Sequence, residues 1–192
     1  MTTRTEKRAI YLIGMMASGK STVGKALARQ LEWEFFDVDK EIEKRSGVPI
    51  SEIFELEGES GFRKRETKMM DELTQRSRVV IAMGGGAPMF EANRPLLKRG
   101  LVIQLVTTVE DIIERTRYDT ARPLLQCDDK EQRIAMLLEE RSSVYDLMSD
   151  LVVSTAGGHL HSVVDRILDN PQVMELVNRV NVEGKDNVDI YG

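Results

Sequence analysis

Residues Gly14 to Ser21 read Gly-Met-Met-Ala-Ser-Gly-Lys-Ser, a full match to the pattern G-x-x-x-x-G-K-[ST]. The apolar run Ala9–Ile13 leads into it. A stretch with helical spacing, Lys20–Leu31, leads out, its apolar positions including Val23, Leu27 and Leu31. A strand that ends in a glycine turn and opens directly into a helix belongs to a sheet with helices packed on its faces. The glycines let backbone N–H groups turn inward around phosphate oxygens, and the helix N-terminus adds a favourable dipole. The Lys20 amine is spaced to reach β- and γ-phosphates, and the Ser21 hydroxyl to hold Mg²⁺. The competing reading is a chance match in an ordinary strand–turn–helix, which the complete pattern in its required context disfavours.

The rest of the chain repeats that alternation. Strands are expected at Ala9–Ile13, Glu34–Val38, Val79–Met83, Leu101–Leu105 and Leu151–Ser154. Near-continuous apolar runs such as Ala9–Ile13 and Val79–Met83 suit parallel strands covered on both faces. Helices are expected at Lys20–Leu31, Glu41–Arg45, Ile50–Glu57, Glu59–Arg76, Arg94–Lys98, Val109–Arg117, Lys130–Met148 and Ser162–Leu168. The 192 residues fit one domain over 1–170, with substrate-binding helices around 39–77 and a mobile lid around 115–127. Residues 171–192 form an extension, expected as a short helix over Gln172–Val180 and then a loose polar tail.

A net charge of −5 argues against a nucleic-acid binder. One cysteine, Cys127, allows no internal disulfide and suits a reducing, cytoplasmic setting. The apolar run near the N-terminus is too short for a membrane span. No exposed apolar stripe stands out, so a monomer is expected.

Four segments carry candidate chemistry besides the phosphate loop. In Phe36-Asp37-Val38-Asp39, period-2 geometry predicts that both aspartates project from one side of a strand end. Asp37 is then a candidate for the Mg²⁺ shell and Asp39 for hydrogen bonds to a polyhydroxy substrate, unless Asp39 merely caps the next helix. Arg63 and Glu66 share a helix face, and Arg63 suits a bidentate clamp on a carboxylate; the plainer alternative is an ion pair with Glu59 or Glu66. Gly84, Gly85 and Gly86 end the third strand, and such a run marks close backbone approach or positive φ. Arg115 and Arg122, in a polar loop pinned by Pro123, suit a lid over the phosphates. Glu140-Arg141, with Tyr145 one turn on, reads by itself as a solvated helix face.

In this order, from about Ile10 to Leu168, the motifs resemble the shikimate kinase family. The middle motif is specific: Ile53, Phe54, Gly58, Glu59, Phe62, Arg63 and Glu66 all match, followed by Gly84–Gly86, Arg122-Pro-Leu-Leu and Glu140-Arg141. The resemblance implies a three-layer α/β/α phosphate-loop kinase with a five-stranded parallel sheet in the order 2-3-1-4-5. It implies transfer of the γ-phosphoryl of ATP to the shikimate 3-hydroxyl, in chorismate and aromatic amino-acid biosynthesis. It further implies that Asp39, Arg63, Gly84–Gly86 and Arg141 contact shikimate, with Arg63 and Arg141 on its carboxylate. Ala17, Ser18, Gly19, Lys20, Ser21, Thr22, Arg115 and Arg122 contact ATP, and Ser21 with Asp37 serves Mg²⁺. Lys20, Asp39 and Arg122 are the catalytic candidates, Asp39 either orienting or deprotonating the hydroxyl. The chain departs from the family pattern at Ser142-Ser143-Val144, where Pro-Leu usually precedes the tyrosine, and at Ala17, where glycine is frequent. Rival readings are a kinase of another polyol such as gluconate, and a silent nucleotide-binding protein.

Overall fold

The computed structural model describes residues 7–117 and 129–186. Five strands, β1 (Ile10–Ile13), β2 (Glu34–Asp37), β3 (Val79–Ala82), β4 (Leu101–Val106) and β5 (Leu151–Ser154), form one sheet in the order β2-β3-β1-β4-β5. Every pairing is parallel. This is the expected topology, and it sets the turn after β1 at the centre of the sheet's carboxyl edge, where α/β sheets bind ligands.

The helices are α1 (Lys20–Leu31), α2 (Val38–Ser46), α3 (Ile50–Leu73), α4 (Arg94–Leu97), α5 (Val109–Arg115), α6 (Lys130–Met148), α7 (Leu160–Leu168) and α8 (Pro171–Asp186). Successive β1 side chains serve opposite layers. Tyr11 and Ile13 pack with residues of α3 and α6, including Phe62, Met70, Ile134 and Leu137. Ile10 and Leu12 pack with α1, α7 and α8 through Val23, Leu27, Val164 and Val177. A strand buried on both faces has no polar positions to alternate, which is why its sequence reads as a continuous apolar run.

Three expectations are refined. The helices expected at Ile50–Glu57 and Glu59–Arg76 are both present and meet at Gly58, whose angles (φ 68°, ψ −179°) are not helical, so α3 is two helices across a kink, the second ending at Leu73. A β-carbon there would meet nothing within 4 Å, so glycine answers the backbone conformation and not crowding. Second, β2 stops at Asp37 and α2 begins at Val38, so Asp37 and Asp39 do not share a strand face. Asp37 ends the strand because its carboxylate caps the helix, accepting from the Lys40 N–H; the cap expected of Asp39 belongs to Asp37. Third, α8 continues to Asp186, through residues expected in a tail. Its Val173, Leu176, Val177 and Val180 are buried, and Asn181 accepts a hydrogen bond from the Trp33 indole at 3.2 Å.

Candidate active site

The phosphate loop joins β1 to α1. Gly19 precedes the helix in a left-handed conformation, and Ala17 also adopts positive φ (57°). For a residue with a β-carbon that conformation costs roughly 1–2 kcal/mol. Lys20 Nζ donates to the carbonyls of Gly14 (2.9 Å) and Met15 (2.7 Å), so the amine lies against the loop it is expected to serve. Ser18 is fully buried, whereas Ser21 and Thr22 open onto solvent. The loop is held from outside by two elements. Thr155, just after β5, donates its hydroxyl to the Ser18 carbonyl at 3.1 Å. Arg115, at the end of α5, donates to the carbonyl of Ala17 at 3.0 Å and to that of Thr155 at 3.4 Å. Ser21 Oγ donates to Asp37 Oδ2 at 2.5 Å, which joins the two expected Mg²⁺ ligands although Asp37 is also a helix cap.

The glycine run after β3 touches both halves of the site. None of Gly84, Gly85 and Gly86 has positive φ, so close approach accounts for the run. A β-carbon on Gly84 would stand 2.5 Å from Glu66 Oε1 and 3.0 Å from Asp39 Oδ1. On Gly86 it would stand 2.5 Å from Arg63 Nη2. A β-carbon on Gly85 would face the phosphate loop, 3.5 Å from Met16 N, with Arg141 Nη1 3.9 Å from it. The turn is thus a backbone floor shared by loop and arginines.

Arg63 lies at the centre of the other half of the site. Its Nη1 donates to Glu66 Oε2 at 2.8 Å, and its Nε and Nη2 donate to Glu59 Oε1 at 3.3 and 3.1 Å. Both ion pairs weighed from the sequence therefore exist, yet neither is an ordinary surface bridge, because the Arg63 side chain is only 12% exposed. Glu66 is fully buried, and burial pushes its carboxyl up from the ordinary 4.5 to about 7. Arg63 pulls the other way and Asp39 adds to the rise. Arg63, Glu59, Gly86, Phe90, Glu140 and Arg141 line a cavity of about 330 Å³, within the roughly 300–1,000 Å³ range of small-molecule sites.

Arg141 and Tyr145 are buried, not on a solvated face. The buried residues of α6 are Ile134, Leu137, Arg141, Tyr145 and Met148, one stripe at spacings of three and four. The Tyr145 hydroxyl donates to the Gly85 carbonyl at 2.5 Å and lies 3.8 Å from Met15 Sδ, tying α6 to floor and loop together. Glu66, Tyr145 and Thr155 were not among the expected site residues. The first two carry a signal in the sequence, a polar group at a position where the helical period demands an apolar one. Thr155 carries none, since only the fold sets it beside Ser18. Arg122 and the expected lid residues 118–127 lie outside the described residues; of the expected lid, residues 115–117 are described, and the Arg115 guanidinium is on the loop backbone.

The comparisons with known proteins agree with this geometry. The sequence model of the shikimate kinase family matches residues 16–172. A shikimate kinase of Halorhodospira halophila is 53% identical over 86% of this chain and 94% of its own length. One from Legionella pneumophila is 48% identical over 84% of this chain and 93% of its own. The chain belongs to the shikimate kinase family. Among solved structures, the fold matches a shikimate kinase from Acinetobacter baumannii in complex with shikimate, with a TM-score of 0.82 and 44% identity. That match covers 85% of this chain and 92% of the other. Among the described residues no helix is long and apolar enough to cross a membrane.

Proposed function

We propose that the chain transfers the γ-phosphoryl group of ATP to the 3-hydroxyl of shikimate, yielding shikimate 3-phosphate and ADP. The observation that carries the reading is the glycine floor, which touches Asp39 and Glu66 on one glycine, the phosphate loop and Arg141 on the next, and Arg63 on the third. An anionic polyol seated on that floor has two guanidiniums for its carboxylate and lies beside the loop that holds the phosphates. Phosphoryl transfer requires alignment and charge neutralisation above all, and this juxtaposition supplies both.

In this reading Arg63 and Arg141 bind the shikimate carboxylate, Gly84–Gly86 line its ring, and Asp39 orients or deprotonates the attacking hydroxyl. Residues 17–22 cradle ATP, and Lys20 leaves the Gly14 and Met15 carbonyls for the β- and γ-phosphates. Arg115 braces the loop at Ala17, and Arg122 closes over the transferring group from a lid that excludes water. Two oxygen donors side by side at the loop, Ser21 and Asp37, fit the hard-ligand preference of Mg²⁺, which neutralises phosphate charge when bound. We read residues 1–170 as the catalytic domain and 171–192 as an extension, acting as a cytoplasmic monomer. In support of the monomer, the exposed large apolar side chains among the described residues are spread over α3, α6, β5, α8 and the β3–α4 connection.

The test is coupled ADP release with shikimate, with gluconate and with no acceptor. Release only with shikimate is expected. Equal release with gluconate would sink the acceptor assignment, and release with no acceptor at all is the result for a plain ATPase.

A further inference from the structure

Arg63 carries two carboxylates that differ in one respect, and the difference has a consequence for substrate binding. Glu66 is fully buried and bonds Nη1, whereas the Glu59 side chain is 70% exposed. Glu59 Oε1 accepts from both Nε and Nη2, the guanidinium edge that a carboxylate ligand uses for paired hydrogen bonds. That edge belongs to the 330 Å³ cavity, where Glu59 and Glu140 stand against Arg63 and Arg141. Arg63 is paired with both Glu59 and Glu66, so an incoming carboxylate meets a guanidinium whose charge is already answered.

We infer that Glu59 is an internal stand-in for the substrate carboxylate, holding Arg63 in its binding geometry when the site is empty and yielding its edge when shikimate arrives. This rests on the assignment of Arg63 to the shikimate carboxylate made above. Glu66 cannot play the part, because it has no solvent to withdraw into. Glu59 can: it begins the second half of α3 directly after the Gly58 kink, and a side-chain rotation frees it. The exchange replaces one carboxylate by another, so binding gains little net charge attraction and product release is correspondingly easy. The guanidinium stays ordered throughout, which spares the cost of fixing a long side chain at the moment of binding. Glu59 is in these terms a positioning residue that acts through Arg63.

The experiment is shikimate binding by calorimetry, in the absence of ATP, to the wild type and to Glu59→Gln, Glu59→Asp and Arg63→Lys. The Glu59 end of the pair is exposed, which keeps its worth small, and Glu66 still holds Nη1 when Glu59 is gone, so removing the competitor should tighten the shikimate Kd by about two- to fivefold. Glu59→Asp keeps the charge but shortens the reach by one methylene, and it should tighten Kd in the same direction. Unchanged or weaker binding in Glu59→Gln overturns the proposal. Tightening in Glu59→Gln with wild-type Kd in Glu59→Asp overturns it too, since that pattern reports only a general field. In steady state, Glu59→Gln should lower the KM for shikimate and leave the KM for ATP in place. Arg63→Lys loses the two-pronged edge and should weaken binding at least tenfold; wild-type affinity there would refute the Arg63 assignment itself, whatever the Glu59 variants do.

Discussion

The phosphate loop and the proposed acceptor pocket are built on opposite plans. The loop is one contiguous octapeptide whose work falls to backbone amides, with Arg115 and Thr155 bracing it at carbonyls. The pocket draws side chains from α2, α3 and α6 onto a three-glycine floor, with Glu66 and Arg141 buried among them. Backbone recognition is local and tolerates change in its surroundings. Side-chain recognition depends on the packing that buries the charges, and a substitution there acts on stability and binding together.

The largest effect separating the two regions is expected for Lys20→Ala. Losing the loop's cation should lower kcat by about a thousandfold or more in the coupled assay, with shikimate affinity in the absence of ATP unchanged. A variant that still turned over would mean that another cation does this work. Arg63→Ala should act on the other side, raising the KM for shikimate by about a hundredfold while sparing the KM for ATP; removing one partner of a buried charge pair costs about 2–5 kcal/mol. A parallel rise in both constants would erase the distinction between the regions.

Glu66 extends the contrast to pH. Its carboxyl rises from 4.5 to about 7 on folding, so between those values the folded protein binds more protons than the unfolded chain. Stability from this group is therefore greatest below pH 4.5 and is lost as pH rises through about 7. Denaturant titrations of the wild type should show a loss on the order of 1–3 kcal/mol between pH 5 and 8 that Glu66→Gln lacks. Parallel pH profiles for the two proteins would place the titration elsewhere. The smallest effect belongs to the loop. Ala17→Gly relieves a left-handed residue and should stabilise the protein by about 1 kcal/mol or less, the gain being reduced by the greater freedom of glycine in the unfolded chain. A fall in melting temperature would show that the Ala17 methyl packs more favourably than its backbone is strained.

Much of this architecture is legible in the residues. Five apolar runs alternate with helical stretches, and the strands begin and end within a residue or so of their expected limits. The differences have identifiable causes. The break read at Gly58 is present in the backbone, but the chain resumes at once as helix through the buried Phe62, Met69 and Met70, so the two helices run on as one kinked element. Asp37 reads as a strand residue facing ligand and is first a cap, because a side-chain acceptor at that point satisfies the opening N–H of α2. Arg141 reads as solvated when weighed alone, and as buried once its place between Leu137 and Tyr145 is counted.

By itself the sequence determined the phosphate loop, since an octapeptide between a strand and a helix carries its own conformation and chemistry. It also determined the layered parallel sheet, because only strands covered on both faces dispense with polar alternation. Tertiary structure alone decided what each charge around Arg63 does. Glu59 and Glu66 are the same residue type, four and three positions from one arginine, and periodicity puts both within its reach. One is exposed and displaceable, the other buried and protonatable near neutrality. The packing of α3 beneath the glycine floor makes that distinction, because burial depends on what covers a residue and the covering comes from distant parts of the chain.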